Sequence, residues 1–355
     1  MRWYKLFCRW HLFAIILLVI CCLFGCAKSR HYTCTDTDGL YHNAGYPIGV
    51  AINPDLLYTD SQCHRIASQQ FNSFTAENIF KPFYLHPEPN AYYWEEADKL
   101  ADYCVTNHKR LHGHTLIWHE QLPEWILSFS GSTSEWEQMF KNHIQTIVAH
   151  FRGKVAGWDV VNEAFDRDGT LRNSIWRRKL GDGYIERAFR YAHEADPNAL
   201  LFYNDFDLES NPAKRRAVLT LLNNIRLRGA VIDGIGLQMH VNIYSPGSGE
   251  IVKAIEEVAK AGYKVHISEL DISINPRGRP IDKTAALFQL QAELMTKIVV
   301  NYKQLPSRLQ YGITIWGISD KDSWIPYYFN REDFPLLYDS NYIPKPVYCA
   351  IKSLL

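Results

Sequence analysis

Residues 157–164 read GWDVVNEA, a short apolar stretch that ends in a carboxamide, Asn162, and a carboxylate, Glu163. Its run of β-branched side chains is typical of a buried strand. Residues 265–271 read VHISELD and repeat the arrangement, with Glu269 and Asp271 at the end of the stretch. We therefore expect two buried strands that each carry acidic side chains at the carboxyl end.

Stretches of this kind occur eight times, and longer segments with helical periodicity separate them. The predicted strands are 46–52, 71–75, 111–118, 155–161, 199–204, 232–239, 264–272 and 311–316. The predicted helices include 92–108, 134–150, 212–228, 251–261 and 284–302. Strand and helix alternating eight times predicts an α/β fold, the (β/α)8 TIM barrel, as a single catalytic domain. Active sites of this fold lie at the carboxyl ends of the strands, where Glu163 and Glu269 are found.

The N-terminal residues have the features of an export signal. Three basic residues precede the apolar run 12–24, which is too short for an ordinary membrane span. The run leads into Leu23-Phe24-Gly25-Cys26, which resembles a bacterial lipobox, although Phe24 is bulkier than usual at its place. We expect a signal peptide at 1–25, a lipidated tether at 26–41 that begins with Cys26, and the barrel at 42–355. The protein would then be exported and anchored by lipid to the bacterial cell envelope, at the periplasmic or outer-membrane surface.

Net charge and cysteine content limit the binding partners and the cysteine chemistry that we expect. Lys+Arg and Asp+Glu both total 38, and no basic stripe is present, so a nucleic-acid partner is not expected. An exported chain could pair its four remaining cysteines in three ways, and the sequence leaves these pairings and free thiols open. These cysteines are Cys34, Cys63, Cys104 and Cys349. None of them forms a C-x-x-C pair, so a structural zinc site built on cysteine is not expected.

Two carboxylates at one rim of a barrel match the needs of glycoside hydrolysis. One acid protonates the leaving oxygen, and the other attacks the anomeric carbon or activates water. A single glutamate at a strand end is more often a solvated rim residue. A pair on opposed strands favours catalysis, but it does not assign the two roles.

The motifs around both glutamates resemble glycoside hydrolase family 10, the β-1,4-xylanases, and the resemblance runs from about Tyr46 to Tyr348. It implies a retaining endo-1,4-β-xylanase acting on xylan and xylo-oligosaccharides, with Glu163 as general acid/base and Glu269 as nucleophile. It implies neither a cofactor nor a metal, and we expect a monomer.

The resemblance also implies residues that bind the sugar before the cleaved bond. The glycone side is assigned Glu77, Asn78 and Lys81, and the subsite beside the bond is assigned His114, Trp118, Gln121 and the 2-hydroxyl partner Asn162. The family more often has Arg at the position of His112 and Ser at the position of Glu120.

Further positions follow from the ends of the later strands. By resemblance, His240 bonds the nucleophile, Asp271 bonds His240, and Gln238 lies beside them. The aromatic wall and lid over the sugar are assigned to Trp316 and Trp324, and the leaving-group side is assigned to Tyr203.

Alternative functions use other features of the same sequence. A metal-dependent TIM-barrel hydrolase could bind zinc through His112, His114, His240 and His266. A surface glycan-binding protein without catalysis is a second alternative, and the same mechanism acting on cellulose or mannan is a third.

Overall fold

The computed structural model describes residues 34–281 and 285–355. The predicted signal peptide and the predicted lipidation site at Cys26 lie outside the described residues. None of the described helices combines the length and apolar character needed to span a bilayer.

A closed barrel of parallel strands forms the centre of the domain, as predicted. The strands are β1 (Ile48–Ile52), β2 (Ser73–Ala76), β3 (Arg110–Ile117), β4 (Val155–Asn162), β5 (Leu200–Asp205), β6 (Gly234–Leu237), β7 (His240–Asn242), β8 (Lys264–Ser273) and β9 (Gln310–Ile315). Each pairs in parallel with its neighbour from β1 to β6, β6 pairs with β8, β8 with β9, and β9 returns to β1. The short β7 pairs with the carboxyl end of β8 and was not predicted as a separate strand.

Helices surround the barrel. They are α1 (Pro54–Thr59), α2 (Ser61–Gln70), α3 (Pro82–Leu85), α4 (Glu95–Thr106), α5 (Glu124–Leu127), α6 (Thr133–His150), α7 (Ile175–Leu180), α8 (Tyr184–Ala195), α9 (Pro212–Leu227), α10 (Ser248–Lys260), α11 (Ala285–Lys303), α12 (Trp324–Phe329) and α13 (Pro346–Lys352). Short 3-10 turns lie at Ser307–Leu309 and Asp320–Asp322.

The packing of α6 shows how the sequence produces this layer. Ser132 caps the helix, because its hydroxyl accepts a hydrogen bond from the Glu135 amide. The Glu135 carboxylate in turn accepts from the Ser132 amide, which completes a capping box. Trp136, Phe140 and Ile144 recur every four residues and are buried. This face packs on the barrel, whose strands are buried on both sides and are therefore largely apolar in sequence.

Residues 34–41, the described part of the predicted tether, are attached to the barrel. Cys34 forms a disulfide with Cys349 in α13. The carbonyl of Asp36 accepts a hydrogen bond of 2.8 Å from the Gln70 amide, and Leu40 is buried. Among the described residues, the structure thus combines the two alternatives that the sequence left open, with one disulfide and with Cys63 and Cys104 as buried free thiols.

Candidate active site

Backbone strain is concentrated at the carboxyl ends of successive strands. Gln121, Glu163, Asp207 and Met239 all have φ between 47° and 64°, a left-handed region that side chains other than glycine rarely adopt. The amide of Glu163 nevertheless donates to the Asn204 carbonyl at 2.9 Å, so the strained turn is held by the neighbouring strand. Strain of this kind is typical of functional sites, where the surrounding structure fixes a costly conformation.

The carboxyl group of Glu163 is held by two donors. The indole Nε1 of Trp118 donates to Oε2 at 2.9 Å, and Nε2 of Gln238 donates to Oε1 at 2.9 Å. Burial raises the pKa of Glu163 despite these hydrogen bonds, and the charge of Glu269 raises it further. Glu163 therefore favours the protonated form that a general acid needs.

Glu269 has the opposite electrostatic environment. Asn204 donates to its Oε1 at 2.7 Å, and Nε2 of His240 lies 3.2 Å from its Oε2. Burial alone would raise the pKa of Glu269, but the hydrogen bond from His240 and the charges of His240 and His114 lower it below its ordinary value. Glu269 therefore favours the ionised form.

His240 keeps its charge through Asp271. Its Nδ1 donates to Asp271 Oδ2 at 2.8 Å. Burial opposes the charged imidazole, yet the carboxylates of Asp271 and Glu269 raise the pKa of His240 well above its ordinary value. The chain from Asp271 through His240 to Glu269 thus orients the carboxylate and keeps it ionised.

Two tryptophans lie beside this chain. The indole of Trp324 donates to Asp271 Oδ2 at 2.9 Å, and its ring centroid lies 5.0 Å from that of His240. Trp316 packs edge-on against His114 at 5.5 Å between centroids. Both indoles are therefore fixed by residues that touch or flank Glu269.

The glycone residues predicted from β2 and the loop after it are close together. Lys81 Nζ donates to Asn78 Oδ1 at 3.0 Å and lies 5.1 Å from the ring centroid of Trp118. Burial lowers the pKa of Lys81, although the charges of Glu269, Glu77 and Glu163 oppose that shift. Burial raises the pKa of Glu77 to about 7. Gln121 is exposed at the end of the loop after β3, and its carbonyl accepts from the amide of Phe83 at 2.9 Å.

Tyr203 does not reach the cleft, which corrects the sequence prediction for this residue. It is fully buried, its hydroxyl donates to Asp205 at 2.5 Å, and its ring packs against Phe165 behind the strand. Successive residues of a strand point to opposite faces, so Asn204 points inward where Tyr203 points outward. The Asn204 side chain contacts Glu269 and lies 3.0 Å from the amide of Asn162.

Three other residues that support the site were not predicted from the sequence. Arg172 donates to the Glu163 carbonyl at 3.0 Å, and its guanidinium pairs with Asp166. Nε1 of Trp176 donates to the Trp118 carbonyl at 2.7 Å. Asp159 accepts from Nδ1 of His114 at 2.9 Å, which sets the orientation of that ring. Of this group, the alternation within β4 could have identified only Asp159.

A family model, curated relatives and solved structures all match this chain to the same group of proteins. The family model described as Glycosyl hydrolase family 10 matches residues 37–354. Endo-1,4-beta-xylanase B from Thermotoga neapolitana is 40% identical over 291 residues, which are 82% of each chain. Native xylanase 10B from Thermotoga maritima superposes with a TM-score of 0.83 at 37% identity, over 89% of this chain and 96% of that one. Xylanase 10B from Thermotoga petrophila RKU-1, solved with xylobiose, gives a TM-score of 0.84 at 35% identity, over 92% and 98% of the two chains.

Proposed function

This chain belongs to glycosyl hydrolase family 10, and from that premise we propose that it is a retaining endo-1,4-β-xylanase with Glu163 as acid/base and Glu269 as nucleophile. Its substrates are xylan and xylo-oligosaccharides, and the bonds it hydrolyses are internal β-1,4-xylosidic bonds. The rival assignments, a metal-dependent hydrolase and a non-catalytic glycan-binding protein, are not favoured by these relatives.

The observation that carries the proposal is the different set of contacts made by the two buried glutamates, which shifts their pKa values in opposite directions. Burial raises the pKa of Glu163, whereas His240 and the other partners of Glu269 lower the pKa of Glu269. Two carboxyl groups whose surroundings separate their pKa values are suited to divide acid and nucleophile roles. The His240 ring lies between Glu269 and Asp271 as part of this arrangement, a position that accounts for it without a metal.

The chemistry proceeds in two displacements. Glu163 donates its proton to the leaving oxygen while Glu269 attacks the anomeric carbon and forms a covalent xylosyl ester. Esterification removes the charge of Glu269, and the pKa of Glu163 then falls because a like charge no longer opposes its ionisation. Ionised Glu163 next takes a proton from the water that hydrolyses the ester.

We assign sugar contacts to the residues around the pair. Asn162 bonds the 2-hydroxyl, a contact that strengthens in the transition state. Glu77, Asn78 and Lys81 hold the glycone sugar, with Gln121 at its edge. The remaining contacts belong to His114, Trp118, Gln238, Trp316 and Trp324.

Proton NMR of early hydrolysis products tests the mechanism. Retention requires the β-anomer to accumulate first and the α-anomer to appear only through mutarotation. If the α-anomer appeared first, the enzyme would invert configuration, and the roles given to Glu163 and Glu269 would have to be abandoned. The same digest, run on xylohexaose, separates catalysis from binding without turnover.

The place of the enzyme in the cell is a separate part of the proposal. The lipobox ending in Cys26 supports lipid anchoring at the bacterial cell envelope, and we propose that the catalytic domain acts there as a monomer. Cys26→Ser should release the protein from the membrane fraction with unchanged specific activity. Membrane association that persists in this variant, with no fatty-acid labelling of the wild type, would reject lipidation.

A further inference from the structure

Three polar side chains meet inside the barrel below the catalytic rim. His112 lies on β3, Asp159 on β4 and His266 on β8, and each is at most 1% exposed. One nitrogen or oxygen from each residue lies within 4.8 Å of the other two. Two of these residues precede the catalytic pair on the same strands, Asp159 before Glu163 and His266 before Glu269.

Each side chain has one polar atom that makes a hydrogen bond or a close polar contact on its outer side, and one that makes no hydrogen bond. The inner atoms, His112 Nε2, Asp159 Oδ1 and His266 Nδ1, are buried without a hydrogen-bond partner among the described residues. The outer contacts are His112 Nδ1 with Tyr311 Oη at 3.0 Å, His266 Nε2 with Thr314 Oγ1 at 2.9 Å, and Asp159 Oδ2 with His114 Nδ1 at 2.9 Å. Metal-binding histidines show this division, because the outer contact fixes the ring while the inner nitrogen faces the ion.

The closest pair of inner atoms is His112 Nε2 and Asp159 Oδ1, which lie at ion-pair distance. His112 Nε2 and Asp159 Oδ1 are 3.0 Å apart, yet their alignment does not make a hydrogen bond. A buried polar atom without a partner costs free energy, and the cost is greater for a carboxylate oxygen. A cation bound between the three inner atoms would satisfy all of them together.

We propose that His112, Asp159 and His266 form a buried structural site for one divalent transition-metal ion of the zinc class. Two imidazoles and one carboxylate are donors that zinc accepts, at about 2.0–2.2 Å. Two donors at that distance are roughly 3.3–3.6 Å apart in tetrahedral geometry, so the widest pair must move closer together on binding. The ion would join β3, β4 and β8 beneath the catalytic side chains, without touching substrate.

Metal content after refolding tests this site. Because the site is fully buried, a chelator cannot be expected to reach it in the folded protein. The full chain should therefore be unfolded in EDTA and refolded either with Zn²⁺ or with EDTA. We expect about one zinc per chain by mass spectrometry, and a Tm roughly 5 °C or more above that of the EDTA-refolded protein.

Two variants and one spectrum decide the assignment. His266→Gln should lose the zinc, whereas His143→Gln should keep it, because His143 is an equally buried histidine that bonds His86 and no carboxylate. X-ray absorption of the wild type, which does not depend on a variant folding, should show two imidazole ligands. Wild type that refolds without zinc and with equal Tm in both buffers would overturn the proposal, and so would zinc retained by His266→Gln or a spectrum without two imidazoles.

Discussion

Trp324 and His240 are joined through one oxygen atom of Asp271. The indole donates to Oδ2 at 2.9 Å, and His240 Nδ1 donates to the same atom at 2.8 Å. His240 in turn contacts Glu269. The Trp324 indole, which we propose covers the sugar, and the carboxylate of Glu269 are therefore parts of one hydrogen-bonded chain.

Trp324→Phe should disturb this chain while keeping an aromatic ring in place. A hydrogen bond to a charged group is worth roughly 1.5–3 kcal/mol, so we expect kcat/KM on xylohexaose to fall by about tenfold or more. Trp125→Phe is the matched control, because its indole donates to the His86 carbonyl away from the site. Equal kcat/KM for Trp324→Phe and wild type would show that the shared oxygen does not matter for catalysis.

The pH dependence of kcat/KM should be bell-shaped, with limbs set by the two glutamates. Glu269 must be ionised and its pKa is lowered from 4.5, so activity falls only as pH drops below about that value. Glu163 must be protonated and its pKa is raised, so activity is lost as pH rises through that raised value.

Gln238→Met tests the assignment of the basic limb. It removes a donor that favours ionised Glu163, so the pKa of Glu163 should rise and the basic limb should move to higher pH. The acid limb, which belongs to Glu269, serves as the internal control. A basic limb that stays in place or moves to lower pH would assign that limb to another group.

Azide should distinguish the two catalytic glutamates. Glu163→Ala should still cleave aryl xylobiosides that have good leaving groups, and azide should rescue it to give the β-xylosyl azide. Glu269→Ala should be inactive on these substrates, and any azide product should be the α-azide. Glu120→Ala, which removes an exposed rim carboxylate, should behave like wild type. If Glu163→Ala gave the α-azide and Glu269→Ala gave the β-azide, Glu269 would be the acid/base and Glu163 the nucleophile.

Trp324→Ala should weaken discrimination against glucose-based substrates. Xylose carries only hydrogens at C5, whereas glucose carries a hydroxymethyl group, which would have to fit beneath the indole if Trp324 covers the sugar as we propose. A group of this size is worth roughly 1–3 kcal/mol, so the ratio of kcat/KM for aryl xylobioside to aryl cellobioside should fall by about tenfold. An unchanged ratio in the alanine variant would place the source of specificity elsewhere.

The barrel could be predicted from sequence because its eight strands are short, β-branched and largely apolar stretches that alternate with segments of helical periodicity. The short β7 was missed, since His240–Asn242 is too brief to stand apart from the strand before it. Helices of four to six residues, such as α3 and α7, were also missed because they do not complete the periodicity of a longer helix.

The sequence predicted which residues form the candidate site better than it predicted the contacts between them. Motifs located Glu163 and Glu269, but the direction of each pKa shift depends on burial and on partners from other strands. Asn204 rather than Tyr203 faces the nucleophile, because side chains alternate along β5 and the motif alone does not specify which of them points inward. Arg172 supports Glu163 from a loop whose path the sequence does not specify.

The disulfide between Cys34 and Cys349 has a topological consequence, since the bonded residues are 315 positions apart and enclose the whole barrel. A single proteolytic cut anywhere between these two residues converts a closed ring into a linear chain and releases no fragment. The barrel would thus stay in one covalent piece after its first proteolytic cut, and its strands could remain paired.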